Sequence, residues 1–432
     1  MAEKIRVILP KKYDLVVGDT FQLFYRGVIE APNPYVYAIV SICEKGRNFP
    51  RYFEYTPTEP GEHKLELRIY DAARNLVGSG ETILNVVQPK APDRCINILA
   101  VGDSLTTDGQ WQKEFRRRIT TDGGEPKGLG FDGAVNFVGT HHVGDISNEA
   151  YGGWSWTTFM KSFKNYVYFE CRNDRSIEDL NSIWQDANGA LWQLEGVAFD
   201  YLKFSRYLDH DSPIPECGTL THVKGAVDTS PIEFKSYLTS IGSPFYDPEK
   251  QCIDITSYAK RNNIEKVDLI YILLGANGLV GKIANSLPRP EYCQYIVNGT
   301  KELVAKLREA FPNAVIKLMS NPGFSPTGGP ATIYGAKLPL TDTYELNYYQ
   351  HELNLAYQSW CLEDEYKEFM EYINLAGQFD IEYNMPYTMR KVNIRSQMTE
   401  RLNTDGVHPA MDGYMQIADA IYRNFVSSFC SE

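Results

Sequence analysis

Ile96-Asn97-Ile98-Leu99-Ala100-Val101-Gly102-Asp103-Ser104-Leu105-Thr106 is a nearly all-apolar run that breaks at a glycine and passes into polar residues. A run of that length and character is expected of a strand buried on both faces, the habit of a parallel sheet. Trp111, Phe115 and Ile119 recur at helical spacing just behind it. A strand–turn–helix unit of this kind puts Ser104 at the carboxyl edge of a sheet, where open α/β folds place their ligands. Gly102 permits the tight turn, and the helix start offers backbone N–H groups to a developing anion. A serine is a poor nucleophile without a base and a group to orient that base. Taken alone, the tetrapeptide also describes an ordinary N-cap.

Working outward, the alternation continues. Val135, Phe137 and Val138 suggest a second strand, and Val267 to Leu274 is the most apolar run, a central strand by expectation. Residues 291–310 read as a helix ended by Pro312, 314–319 as a strand, and 344–370 as mostly helical. Tyr414, Ile417, Ala418, Ile421 and Phe425 give a final helical stripe. Strands alternating with helices predict a mainly parallel sheet covered on both faces, over residues 94–432. Between about 163 and 246 the alternation lapses into a β-rich insertion, with strands at Leu191–Leu194 and Tyr201–Phe204, a candidate for one wall of a binding cleft.

Residues 1–90 read as all-β. Leu65, Leu67 and Ile69 alternate with charged residues, and Phe21–Tyr25, Tyr35–Val40, Leu76-Val77 and Ile83–Val87 complete the set of a β-sandwich. Gln88-Pro89-Lys90-Ala91-Pro92-Asp93 is a stiff linker, from which few obligatory contacts between the two units are expected.

Composition narrows the function. Hydrophobic residues make up 43% of 432, an ordinary globular content. The net charge of −12 opposes broad binding to nucleic acid or an anionic membrane surface. No apolar run has the length of a transmembrane helix. Met1–Val7 alternates charge with aliphatic residues and lacks the apolar core of a secretory signal, so the expected location is intracellular, or the chain is already trimmed. Eight scattered cysteines, with no C-x-x-C, are expected to be reduced thiols rather than a disulfide framework or zinc site. His141-His142 with Asp145 makes a poor metal site, because neighbours on a strand point to opposite faces. Arg116-Arg117-Arg118 reads as a solvated helix face.

Three further stretches can join Ser104. In Asp405-Gly406-Val407-His408-Pro409 the carboxylate can fold back on the imidazole, fix its tautomer and stabilise the imidazolium formed when His408 takes a proton. Glu149-Ala150-Tyr151-Gly152-Gly153-Trp154 follows a core strand, and a glycine there can present its N–H to an oxyanion. Gly275-Ala276-Asn277 follows the most apolar strand, and Asn277 can donate its side-chain NH₂ to the same oxyanion.

In this order and context the four residues resemble the SGNH/GDSL hydrolase superfamily. Its nucleophile block matches Gly102-Asp103-Ser104-Leu105, its glycine block Gly153 (Gly152 as fallback), its asparagine block Gly275-Ala276-Asn277, and its last block Asp405 and His408. Gly278 departs from the family's usual aspartate after the asparagine, which bears on loop rigidity. The resemblance covers about 95–430 outside the insertion and implies a three-layer, flavodoxin-like α/β/α sandwich. It implies a serine esterase working through an acyl-enzyme: Ser104 as nucleophile, His408 as base, Asp405 orienting it, and Ser104 N–H, Gly153 and Asn277 as the oxyanion hole. No metal or cofactor is required. The N-terminal unit resembles immunoglobulin-like modules. With the insertion, and with Trp154 and Trp156 beside the oxyanion side, it favours a carbohydrate ester, an acetyl group above all. A lipid or thioester is the alternative. A carbohydrate-binding or tail-fibre-like structural protein with a silent hydrolase fold is the alternative of another class.

Overall fold

Strand Ile96–Gly102 (β1) lies inside a seven-stranded sheet in the computed structural model, which describes residues 5–161, 166–172, 181–198, 201–207, 217–235, 242–280, 288–327 and 343–431. Val135–Val138 (β2) pairs in parallel with the first half of β1. His141–Val143 (β3) and Ile146–Ala150 (β4) form a hairpin, and β4 pairs in parallel with the last residues of β1. On its other side β1 meets Leu269–Leu273 (β5), then Val315–Met319 (β6) and Met370–Ile373 (β7), all parallel. One edge of β1 is thus shared by β2 and β4. The shared register ends with Ala150 opposite Gly102, which brings the Gly152-Gly153 turn beside the Ser104 turn.

The alternation of side chains decides the packing. Ile98, Ala100, Leu269 and Tyr271 face the helices Gln110–Thr120 (α1) and Met411–Phe429 (α5), where the rings of Trp111 and Phe115 meet Phe137 and Tyr271 edge-on. Leu99, Val101, Ile270 and Ile272 face Ile255–Arg261 (α2), Arg289–Ala310 (α3) and Thr343–Cys361 (α4). Both faces of the parallel strands are therefore buried, as their unbroken apolar sequence requires.

The first 90 residues hold a four-stranded sheet and a three-stranded one. In the first, Lys12–Val16 runs parallel to Leu76–Val87, followed by antiparallel Gly61–Tyr70 and Ala38–Ile42. In the second, Phe21–Phe24, Tyr52–Tyr55 and Arg47–Asn48 are antiparallel. Leu15, Leu23, Phe53, Leu65, Leu67 and Leu84 share one buried cluster. The strand expected over Tyr35–Val40 begins only at Ala38, because Pro34–Val36 forms a 3₁₀ turn whose Asn33 cap accepts from Tyr35 N at 3.1 Å.

The expectation of few contacts between the two units does not hold. Asp19 accepts from Arg118 (2.6 Å) and from Arg423 (2.5 Å), and Arg118 also donates to Asp419 (2.6 Å). Arg51 binds Asp380 and Glu382, and Asn424 and Ser427 bind Asp14. Gly27 approaches so closely that an added Cβ would lie 1.7 Å from the Ala376 carbonyl oxygen. Arg118, with only 1% of its surface exposed, also corrects the reading of a solvated arginine face. Arg116 and Arg117 pair with Asp145 and Glu114, but Arg118 points inward between Asp19 and the Tyr422 ring.

Within the insertion, six antiparallel strands close into a barrel: Tyr166–Arg172, Ile183–Gln185, Leu191–Ala198, Tyr201–Tyr207, Cys217–Lys224 and Ile232–Lys235. Trp184, Trp192, Leu194, Leu202, Phe204 and Leu220 fill it. Residues 163–165, 173–180, 199–200, 208–216 and 236–241 of the expected insertion lie outside the described residues.

Candidate active site

Glycine is obligatory at the end of β1. A Cβ on Gly102 would sit 2.5 Å from Thr106 Oγ1 and 2.7 Å from its Cβ, so a side chain there would displace the turn. Asp103, fully buried, caps that turn by accepting from Leu105 N (3.0 Å), while its carbonyl accepts from Thr106 N and Thr107 N. Ser104 follows as the first residue of a single helical turn, half-buried. Among the described residues its N–H donates to no protein acceptor.

The Asp405–His408 loop arrives from the far end of the chain. Asp405 Oδ1 accepts from Val407 N and His408 N, both at 2.8 Å, and Oδ2 lies 2.9 Å from His408 Nδ1. An ionised carboxylate can only accept, so Nδ1 carries the proton and Nε2 is left with its lone pair. Nε2 sits 2.9 Å from Ser104 Oγ. The loop is clamped from outside: Ser325 N donates to the Gly406 carbonyl (2.9 Å) and Asn403 Nδ2 to Ser325 Oγ (2.6 Å).

Charge tunes this chain of bonds. Burial opposes an imidazolium at His408, but the Asp405 hydrogen bond and charge, with the charges of Asp103 and Asp108, outweigh it and raise its pKa. Burial likewise opposes the Asp405 carboxylate, and the bonds from His408 and the loop N–H groups outweigh that and lower its pKa. Asp103 is pushed up to about 7, because desolvation dominates its hydrogen bonds.

Across from Ser104, Tyr151 N donates to the Gly102 carbonyl (3.1 Å) and Trp154 N to the Tyr151 carbonyl (3.2 Å), closing a tight turn. Gly153 has φ +77°, the left-handed region that favours glycine, and its Cβ side is open space. The N–H groups of Gly152 and Gly153 donate to no protein acceptor among the described residues. Asn277 Nδ2 donates to the Trp154 carbonyl (2.9 Å) and to Asp103 Oδ2 (3.2 Å). Both amide hydrogens therefore have acceptors, and Asn277 ties the Ser104 turn to the Gly153 turn; donation to an oxyanion requires one of these bonds to yield. Gly278, where the SGNH/GDSL pattern has an acid, is held by Tyr292 Oη donating to its carbonyl (2.6 Å). An added Cβ would come within 3.1 Å of Ile296 on α3, so a tyrosine stiffens this loop where a carboxylate would crowd it.

The structure joins Ser104, His408 and Asp405 by hydrogen bonds and sets Asn277, bonded to Asp103 and the Trp154 carbonyl, beside them with the Gly153 turn. It does not bring Trp154 to a sugar-facing surface, whereas Trp156 stays partly exposed beside the exposed ring of Tyr295. Trp154 is buried against Phe159, with ring centroids 4.8 Å apart, and Trp156 lies over Gly299 of α3. His141 and His142 bind Asn148 and Ser147. Two acids went unremarked in the sequence. Asp108 adds to the field at His408. Glu149, fully buried at the end of β4, accepts from Tyr258 Oη (2.5 Å), Tyr151 Oη (2.6 Å) and both donors of Thr140, and so anchors the strand that delivers the glycine turn. Its signal was a carboxylate at a core-facing position, which demands partners.

No protein-family model matches the chain, and no curated protein matches it. Among solved structures it is similar to a carbohydrate acetylesterase from Sinorhizobium meliloti, at 12% identity and TM-score 0.33, covering 77% of this chain and all of that one (100%). It is also similar to an acetyl xylan esterase from Butyrivibrio proteoclasticus, at 10% identity and TM-score 0.28, covering 99% of this chain and 96% of the other. A peptidoglycan O-acetylesterase stands at 14% identity and TM-score 0.27, covering 78% and 92%. These neighbours are esterases at remote distance, and the reading of the site rests on its own geometry.

Proposed function

We propose that the chain is a serine ester hydrolase of the SGNH type, a three-layer α/β/α enzyme with residues 1–90 as an accessory β-sandwich. The observation that carries this is the continuous bond chain from Asp405 through His408 to Ser104 Oγ, 2.9 Å at each step. Ser104 Oγ attacks the ester carbonyl as His408 Nε2 takes its proton, giving a tetrahedral oxyanion and an imidazolium held by Asp405. Ser104 N–H, the Gly153 turn and Asn277 are the donors available to that oxyanion. His408 returns the proton to the leaving alcohol, the acyl–Ser104 ester forms, and a water activated by His408 releases the acid. Labelling by a fluorophosphonate, located at Ser104 by peptide mass and absent from Ser104→Ala, tests the assignment; a protein left unlabelled would favour a silent hydrolase fold.

A carbohydrate O-acetyl ester is the substrate class we favour over a lipid or thioester. Support comes from the accessory unit, the barrel insertion and the partly exposed Trp156; Trp154, being buried, lends none. Hydrolysis of acetylated oligosaccharides against acyl thioesters and long-chain esters decides between them.

Two outcomes follow from the site. Asn277→Ala is expected to lower kcat by roughly 10²–10³-fold with KM little changed, since the oxyanion exists only in the transition state. A rise in KM at constant kcat would make Asn277 a ground-state contact. The raised pKa of His408 places the acid limb of kcat/KM above that of a free imidazole, because only the neutral ring accepts the proton. Asp108→Asn removes one of the charges that raise it, so the limb moves to lower pH while the plateau stays. The shift is largest at low ionic strength, Asp108 being exposed. A limb that stays in place would show that Asp108 does not act on His408.

A further inference from the structure

Tyr387–Lys391 and Thr399–Asn403 form an antiparallel hairpin that projects just before the Asp405 loop and pairs with no other strand among the described residues. Its register puts Tyr387, Met389 and Lys391 on one face with Arg401, and Thr388 on the other face with the Arg390–Glu400 ion pair. The first face mixes half-exposed Tyr387 and Met389 with Lys391, Thr399 and Arg401, whose guanidinium stacks on Tyr387, and it runs into a tip where Ile394 is 92% exposed and Met398 72%. A lone two-stranded hairpin is marginal in water, and the exposed apolar side chains Val392, Ile394 and Met398 gathered at its tip mark a surface for another molecule to cover.

Charge indicates what covers it. Residues 387–403 carry Arg390, Lys391, Arg395 and Arg401 against Glu400, a net +3 in a chain of −12. Lys391 and Arg395 have no acidic partner among the described residues. The chain's single run of three consecutive acids, Glu363-Asp364-Glu365, is exposed and follows Leu362, itself an exposed apolar side chain; Glu363 and Asp364 make surface pairs with Lys301 and Lys367, and Glu365 has no cationic partner among the described residues. That loop enters β7 at the amino end of the sheet, whereas the hairpin follows β7 beyond the carboxyl end. The acidic loop of the same copy therefore lies at the opposite end of the sheet from the hairpin, and a second copy supplies that loop with matching charge.

We infer that the hairpin docks on a second copy of this chain, with Lys391 and Arg395 meeting Glu363–Glu365 and the Ile394/Met398 tip covering Leu362. A two-fold arrangement lets each copy give a hairpin and accept one, which satisfies both contacts and closes the assembly. An anionic membrane fits the tip but not the acidic remainder of the chain, which such a surface repels.

Sedimentation velocity on the full chain, from about 1 to about 100 µM, reads the state directly. The expected result is a dimer that dissociates about ten-fold more readily at about 500 mM salt than at about 50 mM. Ile394→Asp with Met398→Asp should give monomers of unchanged thermal midpoint, and so should Arg395→Glu; adding Asp364→Lys to Arg395→Glu should restore pairing. A wild-type monomer throughout, or a dimer untouched by the tip substitutions, would overturn the inference. So would a charge swap that restores nothing, or tip-dependent co-sedimentation with phosphatidylglycerol vesicles.

Discussion

Ser104→Ala is expected to lower kcat on p-nitrophenyl acetate by roughly 10⁴–10⁶-fold, the usual cost of deleting a nucleophile from a working triad. The fold should hardly notice. Among the described residues Ser104 Oγ bonds only to His408 Nε2, and the turn around it is held by the Asp103 cap and by the Gly102 and Asp103 carbonyls. A surface-turn hydroxyl contributes little packing, so the thermal midpoint should move by no more than about 2 °C. His408→Ala should cost a similar factor, and Ser104→Ala with His408→Ala little more than either alone, because the two act as one unit. The double variant separates this reading from a site in which serine and histidine work independently: multiplicative losses would break the assigned chain of bonds, as would near-wild-type turnover by Ser104→Ala. A loss of activity matched by a loss of folding would place Ser104 in the scaffold.

Much of this site was legible because each part rests on a local rule. An apolar run ending in Gly102 reads as a buried strand and tight turn, and the Cβ clash with Thr106 is the physical reason for that glycine. Asp405 and His408 sit three residues apart because a carboxylate needs that span to accept from both the ring and the loop N–H groups. What was hidden depended on contacts between distant segments. Trp154 reads equally well as a sugar platform or a core ring, and only Phe159 and Tyr151, packed on it, decide. The second bond of Asn277, to Asp103, joins residues 174 positions apart and has no local signature. Arg118 belongs by composition to a basic triplet, yet helical spacing turns it about 100° from Arg117 and about 200° from Arg116, into Asp19. Pro89 and Pro92 announce a stiff connection, but a linker's composition does not say how firmly the units it joins are docked.

That docking supports the second large effect. Asp19→Ala is expected to destabilise the whole chain by about 3–5 kcal/mol, since it strips the shared partner from two buried guanidinium groups. Arg118 keeps Asp419, but Arg423 loses the only carboxylate it is hydrogen-bonded to among the described residues and is left with Gln378, the Thr20 carbonyl and the nearby charge of Asp419. Burial opposes the Asp19 charge, yet Arg423 and Arg118 outweigh it and lower its pKa. The bridge's contribution is therefore complete above an unfolded carboxylate's pKa of about 3.9 and is lost as pH falls through the lower folded value. Denaturant unfolding at neutral pH measures the loss. Adding Arg423→Met should recover part of it, because removing the stranded charge removes its desolvation penalty as well. By the same argument, residues 91–432 alone should not behave as an intact enzyme: deleting the first 90 residues exposes Arg118 and Arg423, uncovers the Gly27–Ala376 contact, and frees Asp380 and Glu382 from Arg51. If Asp19→Ala costs under about 1 kcal/mol, or the truncated chain unfolds with an undiminished midpoint, the bridge is peripheral and the N-terminal unit is a tethered module after all.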